Sequence, residues 1–390
     1  MMMLMSNDTS FDYNNYMTIE ALEDLTVTSP RAVSYNIDGN GWNGNTTIFT
    51  LKQGEFASLK CNMTTGSTAF GTFQIDGAFN LHGNCMSLVY GDNAAENLSL
   101  KKYSDVFKEL FKNCTKLQNV SKNFLPATTL TTYCYYYMFD GCTSLVNAPA
   151  LPTTTLANYC YIGMFYGCTS LVNAPALPAT TLAPYCYNSM FDGCTSLVTA
   201  PALPATTLAN YCYNSMFDGC TSLVNAPALP ATTLANYCYE YMFYGCTSLV
   251  NAPELPATTL ATYCYTSMFQ GCTNLVTAPA LPATTLANYC YYYMFTSCSK
   301  LNYIKMLATD ISATKCLYNW VNNVSSSGTF VKNANATWNV SGKDGIPSGW
   351  VVQLFDPSGD TTSAPSGGPT VSPTTAPTSA PTSAPTSGPK

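Results

Sequence analysis

Seven consecutive 26-residue units fill the chain from Met138 to Asn319, and no other feature restricts its folding as much. The unit beginning at Met190 reads MFDGCTSLVTAPALPATTLANYCYNS, and the unit from Met216 repeats it almost residue for residue. A looser unit from Leu110 to Tyr137 precedes them and makes eight. A period in the twenties describes one supersecondary turn that cannot bury its apolar face alone, so successive units must stack around a continuous core. The chain therefore reads as a solenoid.

Within a unit, TSLVNAP supplies a short extended stretch led by Leu145, LPTTT a turn, and Leu156 to Phe165 a helix. The helix is predicted from Leu156, Cys160 and Met164 at i, i+4 and i+8, from threonines placed to cap its start, and from Gly167 just past its end. This alternation predicts an α/β solenoid. Proline recurs at the far end of each strand, at Pro149, Pro175, Pro201, Pro227, Pro253 and Pro279, and cannot donate to a ladder. The strands are therefore expected to be very short. Leu145, Leu151 and Leu156, with their equivalents, are the expected core rows, each buried leucine contributing about 1.5–3 kcal/mol before entropy is counted.

The repeated string MFxGCTSLxxAPxLPATTLAxxCY resembles the leucine-rich repeat of BspA-like surface proteins, the Treponema-type repeat, above all at its C-T-S-L, L-P and M-F steps. The resemblance spans residues 109–319. The flanking segments YNIDGNGW, GTFQIDGAFNLHGNCMSLVYGDN and GTFVKNANATWNVSGKDGIPSGWVV are similar to capping regions of that family. The resemblance implies an exported protein that binds other macromolecules, a role described as adhesion. It carries over no catalytic residues.

Charge is scarce. Only 9% of residues are Asp, Glu, Lys or Arg, against roughly 25% in typical soluble domains. Between Lys122 and Lys300 there is neither lysine nor arginine. Phosphate backbones are held chiefly by those two residues, so the solenoid is not expected to bind nucleic acid, and the net charge of -6 agrees. No run of 18 apolar residues exists, so no membrane insertion is expected. The start, MMMLMSNDTS, is apolar for five residues only and does not read as a secretion signal. An extracellular or cell-surface location is expected nonetheless, from the resemblance and from N-glycosylation sequons at Asn45, Asn62, Asn97, Asn113, Asn119, Asn323, Asn335 and Asn339, all outside the regular repeats.

Of the 18 cysteines, one row runs from Cys142 through Cys168, Cys194, Cys220, Cys246 and Cys272 to Cys298, and another from Cys134 to Cys316. Cys134 and Cys142 would lie roughly 12 Å apart along a helix, beyond the about 4.4–6.8 Å between Cα atoms that a bridge requires. Both rows are read as buried thiols behaving as small apolar side chains. Cys61 and Cys85 stand outside the repeat and are read as a disulfide pair. With His82 the only histidine and no C-x-x-C, no metal site is expected, and no cofactor.

Four regions follow from these patterns. Residues 1–108 alternate apolar and polar positions, as in TIFTLKQ and FASLKCNM, and read as a β-rich N-terminal capping domain. Trp42 and its glycine-rich neighbours are a candidate ligand site within it. Residues 109–319 form the leucine-rich solenoid, and 320–355 a C-terminal cap in which Trp338, Ile346, Trp350 and Val352 suggest a final hairpin. Residues 356–390 carry proline every four positions among Ser, Thr and Ala, the composition of a disordered stalk.

No catalytic motif is present, and the repeats hold few acids: Asp140, Asp192, Asp218, Glu240 and Glu254. A pairing of Asp192 with Asp218 on stacked coils is the one acid–base arrangement they offer. Two tyrosine rows, Tyr133 to Tyr289 and Tyr135 to Tyr291, recur without variation and read as half-buried packing with hydroxyls at the rim. Tyr136, Tyr137, Tyr166, Glu240, Tyr241, Tyr244, Gln270, Tyr292 and Tyr293 break the repeat and form the candidate binding surface, since exposed aromatics anchor partners. Asn147, Asn173, Thr199, Asn225, Asn251 and Thr277 make a further polar row.

The sequence is thus read as a non-enzymatic adhesion module for a protein or glycan partner on another surface. The alternative is a self-assembling extracellular fibre or coat glycoprotein, because so uncharged a surface lacks the usual repulsion between copies. A glycan-processing enzyme would have to rest on Asp76 or Asp92.

Overall fold

The computed structural model describes residues 12–64, 66 and 69–357. The segment MMMLMSNDTS and nearly all of the expected stalk lie outside them. Residues through Phe355 form one compact unit, and of the second, Asp356–Lys390, only the first two residues are described.

The N-terminal region is strand-rich. The strands are β1 (Met17–Ala21), β2 (Leu25–Ile37), β3 (Asn43–Leu51), β4 (Phe56–Lys60), β5 (Gln74–Ile75) and β6 (Phe79–His82); β2 turns Leu25, Val27 and Val33 inward, while β1 and β4 are buried on both faces and pair the Thr18 and Ser58 hydroxyls at 2.8 Å. β1 lies antiparallel between β4 and β6, while β2 pairs antiparallel with β3, β4 and β5. β6 then pairs in parallel with β7 (Leu117–Val120), and the ladder passes from there into the repeats.

In the repeats each strand shrinks to a single bridged residue. Asn119, Asn147, Asn173, Thr199, Asn225, Asn251, Thr277 and Tyr303 bridge in parallel, and a second single-residue ladder joins Thr181, Thr207, Thr233 and Thr259. Proline two positions beyond each bridge from Asn147 to Thr277 supplies no N–H, which is why the ladder cannot widen there, whereas Ser121 and Lys305 follow Asn119 and Tyr303, where four-residue strands form. The polar row identified from the sequence is this ladder. Its side chains bond along it, with Asn147 Nδ2 donating to Asn119 Oδ1 at 2.7 Å and Asn251 Nδ2 to Asn225 Oδ1 at 3.1 Å.

The expected final hairpin is not formed. β8 (Tyr303–Met306), β9 (Thr329–Asn333) and β10 (Val351–Phe355) are parallel and in register, Tyr303 against Thr329 and Thr329 against Val351. The coil path outlasts the sequence repeat because other aromatics take over the same rows. Trp320, fully buried, stacks 6.3 Å from Tyr291 and lies 6.1 Å from Phe295, closing both aromatic columns, and its Nε1 donates to Gly345 O at 2.8 Å.

The α-helix predicted over Leu156 to Phe165 is also absent, and with it the α half of the α/β solenoid. The segment is a spiral of turns. Tyr159, Gly163 and Gly167 adopt φ of 60°, 54° and 66°, a left-handed residue at every fourth position. Alternate N–H groups bond sideways into the next coil: Tyr159 to Pro184 O at 3.0 Å, Tyr161 to Cys186 O at 3.1 Å, Phe165 to Met190 O at 3.0 Å. Those between bond back three residues, as Met164 does to Tyr161 O at 3.3 Å. A period of four places Cys160 and Met164 inward just as a helix of 3.6 residues per turn does, so the apolar spacing could not separate the two. A left-handed tyrosine costs about 1–2 kcal/mol. In the row from Tyr133 to Tyr289 that cost is offset by ring stacking at 4.3–4.8 Å between neighbours.

Leu145 and Leu151 and their equivalents are buried, whereas Leu156 is half-buried. Phenylalanines from Phe111 to Phe295 stack about every 5.7 Å. The second tyrosine row, expected to be half-buried with hydroxyls at the rim, is fully buried, and the hydroxyls of Tyr135 and Tyr239 have no hydrogen-bond partner. The thiols do more than fill space. Cys168, Cys194, Cys220, Cys246 and Cys272 each donate an S–H to the carbonyl of the phenylalanine 29 residues earlier, at 3.1–3.2 Å, linking successive coils.

The Cys61–Cys85 bridge is not formed. Cys61, half-buried at the end of β4, and Cys85, fully buried, are both free. Burial pushes the Cys85 thiol well up and it senses Cys134, so it heads the inner thiol row instead of turning back to Cys61.

Candidate functional site: the turn face

The spiral of turns carries the three most variable positions of the repeat, those of Tyr136, Tyr137 and Asp140. The Tyr137 position is itself left-handed, with φ of 49° in Tyr137, 55° in Tyr241 and 55° in Tyr293, and the larger side chains of these positions lie on the side opposite the buried rows of Cys, Tyr and Phe. Eight of the nine predicted surface residues gather here in two clusters. Near the start, Tyr136 meets Tyr137 edge-on at 4.6 Å and Tyr137 lies 5.9 Å from Tyr166. Further along, Tyr241, Tyr244, Gln270, Tyr292 and Tyr293 line an open depression of about 580 Å³, joined by Ser215, Asp218 and Ser267. Tyr241 and Tyr244 are edge-on at 5.9 Å, as are Tyr292 and Tyr293 at 4.5 Å. Glu240 stands apart, its Oε2 accepting from Asn214 Nδ2 at 2.7 Å. Tyr166 and Tyr244 are the exposed members, at 40% and 37%, and the others are half-buried against one another.

Ser215 and Ser267, and the place of Asp218 beside the rings, were missed by reading variable tyrosines alone. They sit one period from Tyr241, Tyr244 and Tyr293, so a 26-residue offset from those rings would have found them. Also unforeseen is the exposed valine row Val146, Val172, Val198, Val224, Val250 and Val276 beside the bridged ladder.

The acids of this face are unusual. Burial and then Asp218 raise the Asp192 carboxyl to about 7, burial raises Asp218 to about 6, and burial raises Glu240 to about 7 against the opposing bond from Asn214. Such groups hold protons more tightly folded than unfolded, so stability falls as pH rises from the ordinary carboxylate range toward about 7. Glu20, Glu23, Asp24, Asp92 and Asp310 are shifted down and act oppositely, but only below that range. The melting temperature is therefore expected to rise on acidification from about pH 8 to about pH 5, and Asp192→Asn with Asp218→Asn should flatten that slope.

The N-terminal candidates are occupied by structural contacts. Lys60 Nζ lies 4.0 Å over the Trp42 ring, which Tyr16 meets edge-on at 4.8 Å. Asp92 accepts from Lys60 and from the Tyr16 hydroxyl, each at 2.8 Å, and Asp76 accepts from Thr26 N at 2.6 Å. Of the sequons, Asn45, Asn62, Asn113, Asn323, Asn335 and Asn339 are exposed, while Asn97 and Asn119 are half-buried. Asn119 commits its Nδ2 to Asn80 at 3.0 Å.

Stacked coils, a one-residue parallel ladder and a variable face define a leucine-rich repeat solenoid. Residues 89–224 and 186–325 match the BspA-type leucine-rich repeat region, in six copies, and together cover more than half the chain. The chain belongs to that family, generally a non-enzymatic binding scaffold. Neither the curated proteins nor the solved structures include a match. Among the described residues, no helix is long and apolar enough to cross a membrane.

Proposed function

We propose that this protein is an extracellular or cell-surface adhesion module that holds a macromolecular partner on the turn face of its solenoid. The proposed organisation is the β-rich cap over residues 1–108, the coils of 109–319, the end of 320–355 and a stalk from 356, with N-linked glycans on the exposed asparagines outside the repeats. The observation that carries this reading is segregation: the core rows barely change from coil to coil, while the variable aromatics and acids collect on one side. Tyrosine suits such a surface, because it supplies large contact area and a polar tip with few rotatable bonds. The test is a protein and glycan array probed with the wild type, with a variant carrying Tyr241→Ser, Tyr244→Ser, Tyr292→Ser and Tyr293→Ser, and with a ladder-side control, Val224→Thr. Binding by the wild type and the control but not by the serine variant is the expected result; equal binding by all three removes the turn face from the account.

Self-assembly has one observation of its own. β10 is an open edge whose Val351, Val352 and Leu354 are 63%, 45% and 68% exposed, with no charge along the strand. Light scattering on a concentrated sample decides this second reading, since a strictly monomeric mass removes it.

A further inference from the structure

We propose that the depression formed by Tyr241, Tyr244, Gln270, Tyr292, Tyr293 and Asp218 is a cation pocket that seats a lysine side chain of a partner protein. This deepens the turn-face reading and rests on it.

At the two ends of the same face the chain supplies the lysine itself. Lys108 Nζ lies 5.1 Å from the centre of the Tyr136 ring, and Lys112 Nζ lies 5.4 Å from that of Tyr137 while bonding Asp140 at 3.1 Å. At the other end Lys315 and Lys343 lean over Tyr318 at 5.5 and 5.8 Å. Tyrosine rings thus already receive ammonium groups at both ends of this face, and at the first end Asp140 of the same coil as Tyr137 shares the lysine.

Four periods along, the ring is kept, but the carboxylate stands on the preceding coil, at the position from which Lys112 reaches Tyr137. Tyr241 is equivalent to Tyr137, and Tyr244 and Asp218 to Asp140, each by whole multiples of 26 residues. Between Lys122 and Lys300 the chain brings no basic residue at all. The groups that act on Asp218 or feel it are Asp192, Tyr166, Tyr241 and Cys246, none of them cationic. Four rings and a half-buried carboxylate around an open space of about 580 Å³ therefore offer what an ammonium group on a four-carbon stem takes up. A protein side chain fits better than a free cation, because the depression is open and leaves room for a four-carbon stem to lie along its rings.

The probe is a tetralysine peptide, titrated at low salt into the full chain and followed by calorimetry. Its fully acetylated counterpart and choline serve as the other arms. Expected are binding of tetralysine, none of the acetylated peptide, and at least a tenfold weakening by Tyr244→Ala and by the isosteric Asp218→Asn, both with unchanged circular dichroism. Tetralysine affinity should also fall as pH drops below about 6, where Asp218 takes up a proton. Equal binding by the acetylated peptide, or by both variants, overturns the pocket and leaves the turn-face reading to its own array test. Choline binding in the absence of tetralysine binding overturns the assignment to a protein side chain.

Discussion

Phe217→Ala is expected to cost about 3–5 kcal/mol of unfolding free energy, the range for emptying a buried aromatic site. Phe217 is fully buried and stacks at 5.7 Å on Phe191 and on Phe243, and its carbonyl receives the Cys246 thiol at 3.1 Å. Because a coil of a solenoid contacts only its neighbours, the loss cannot be shared across the molecule. Unfolding in urea should therefore split into two steps, the coils before and after the gap melting separately. Val224→Ala, at an exposed ladder position, serves as control and should change stability by no more than about 0.5 kcal/mol. A single unshifted transition for Phe217→Ala would mean that the phenylalanine column does not hold the coils together.

Tyr239→Phe is expected to stabilise the protein, by about 1–3 kcal/mol, although it deletes a hydroxyl from every solution form of the chain. The Tyr239 hydroxyl is enclosed among neighbouring rings and thiols with no bonding partner, and burial drives its pKa far upward. Such a group loses its water on folding and receives nothing in exchange, so removing it relieves the folded state alone. Tyr135→Phe should act likewise, and since the two sites are four coils apart their effects should add. Destabilisation by either change, measured by chemical denaturation, would show that these hydroxyls are bonded after all.

The repeat made the solenoid legible because stacking follows from self-similarity alone, and the family resemblance made it a leucine-rich one. The periodicity could not tell a helix from the spiral of turns. Leu156, Cys160 and Met164 fall inward in either, and the deciding feature, a tyrosine held at positive φ, is one that ordinary propensities argue against. Where the sequence repeat ends, sequence reading placed a hairpin that the structure replaces with parallel strands, because Trp320 and Phe330 fill the old rows without keeping the old spelling. Cys85 was misread for a related reason. It lies outside the repeat in sequence yet heads a repeat row in space. On the candidate surface, variation singled out Tyr241, Tyr244, Tyr292 and Tyr293, whereas Asp218, which shares its position with Asp140 and Asp192, was read only as half of an acid–base pair and not as a neighbour of those rings.

Alkylation of the native thiols tests the stacked architecture most directly. All 18 cysteines are free and all but Cys61 are buried; burial raises those in the rows, to about 12 in Cys134 and Cys298, which leaves almost no thiolate near neutral pH. Intact mass after iodoacetamide at about pH 8 should show one adduct at most on the folded protein, at Cys61, and 18 after denaturation. A native protein that takes up label along both rows would contradict the packing on which the turn face, its clusters and its pocket all depend.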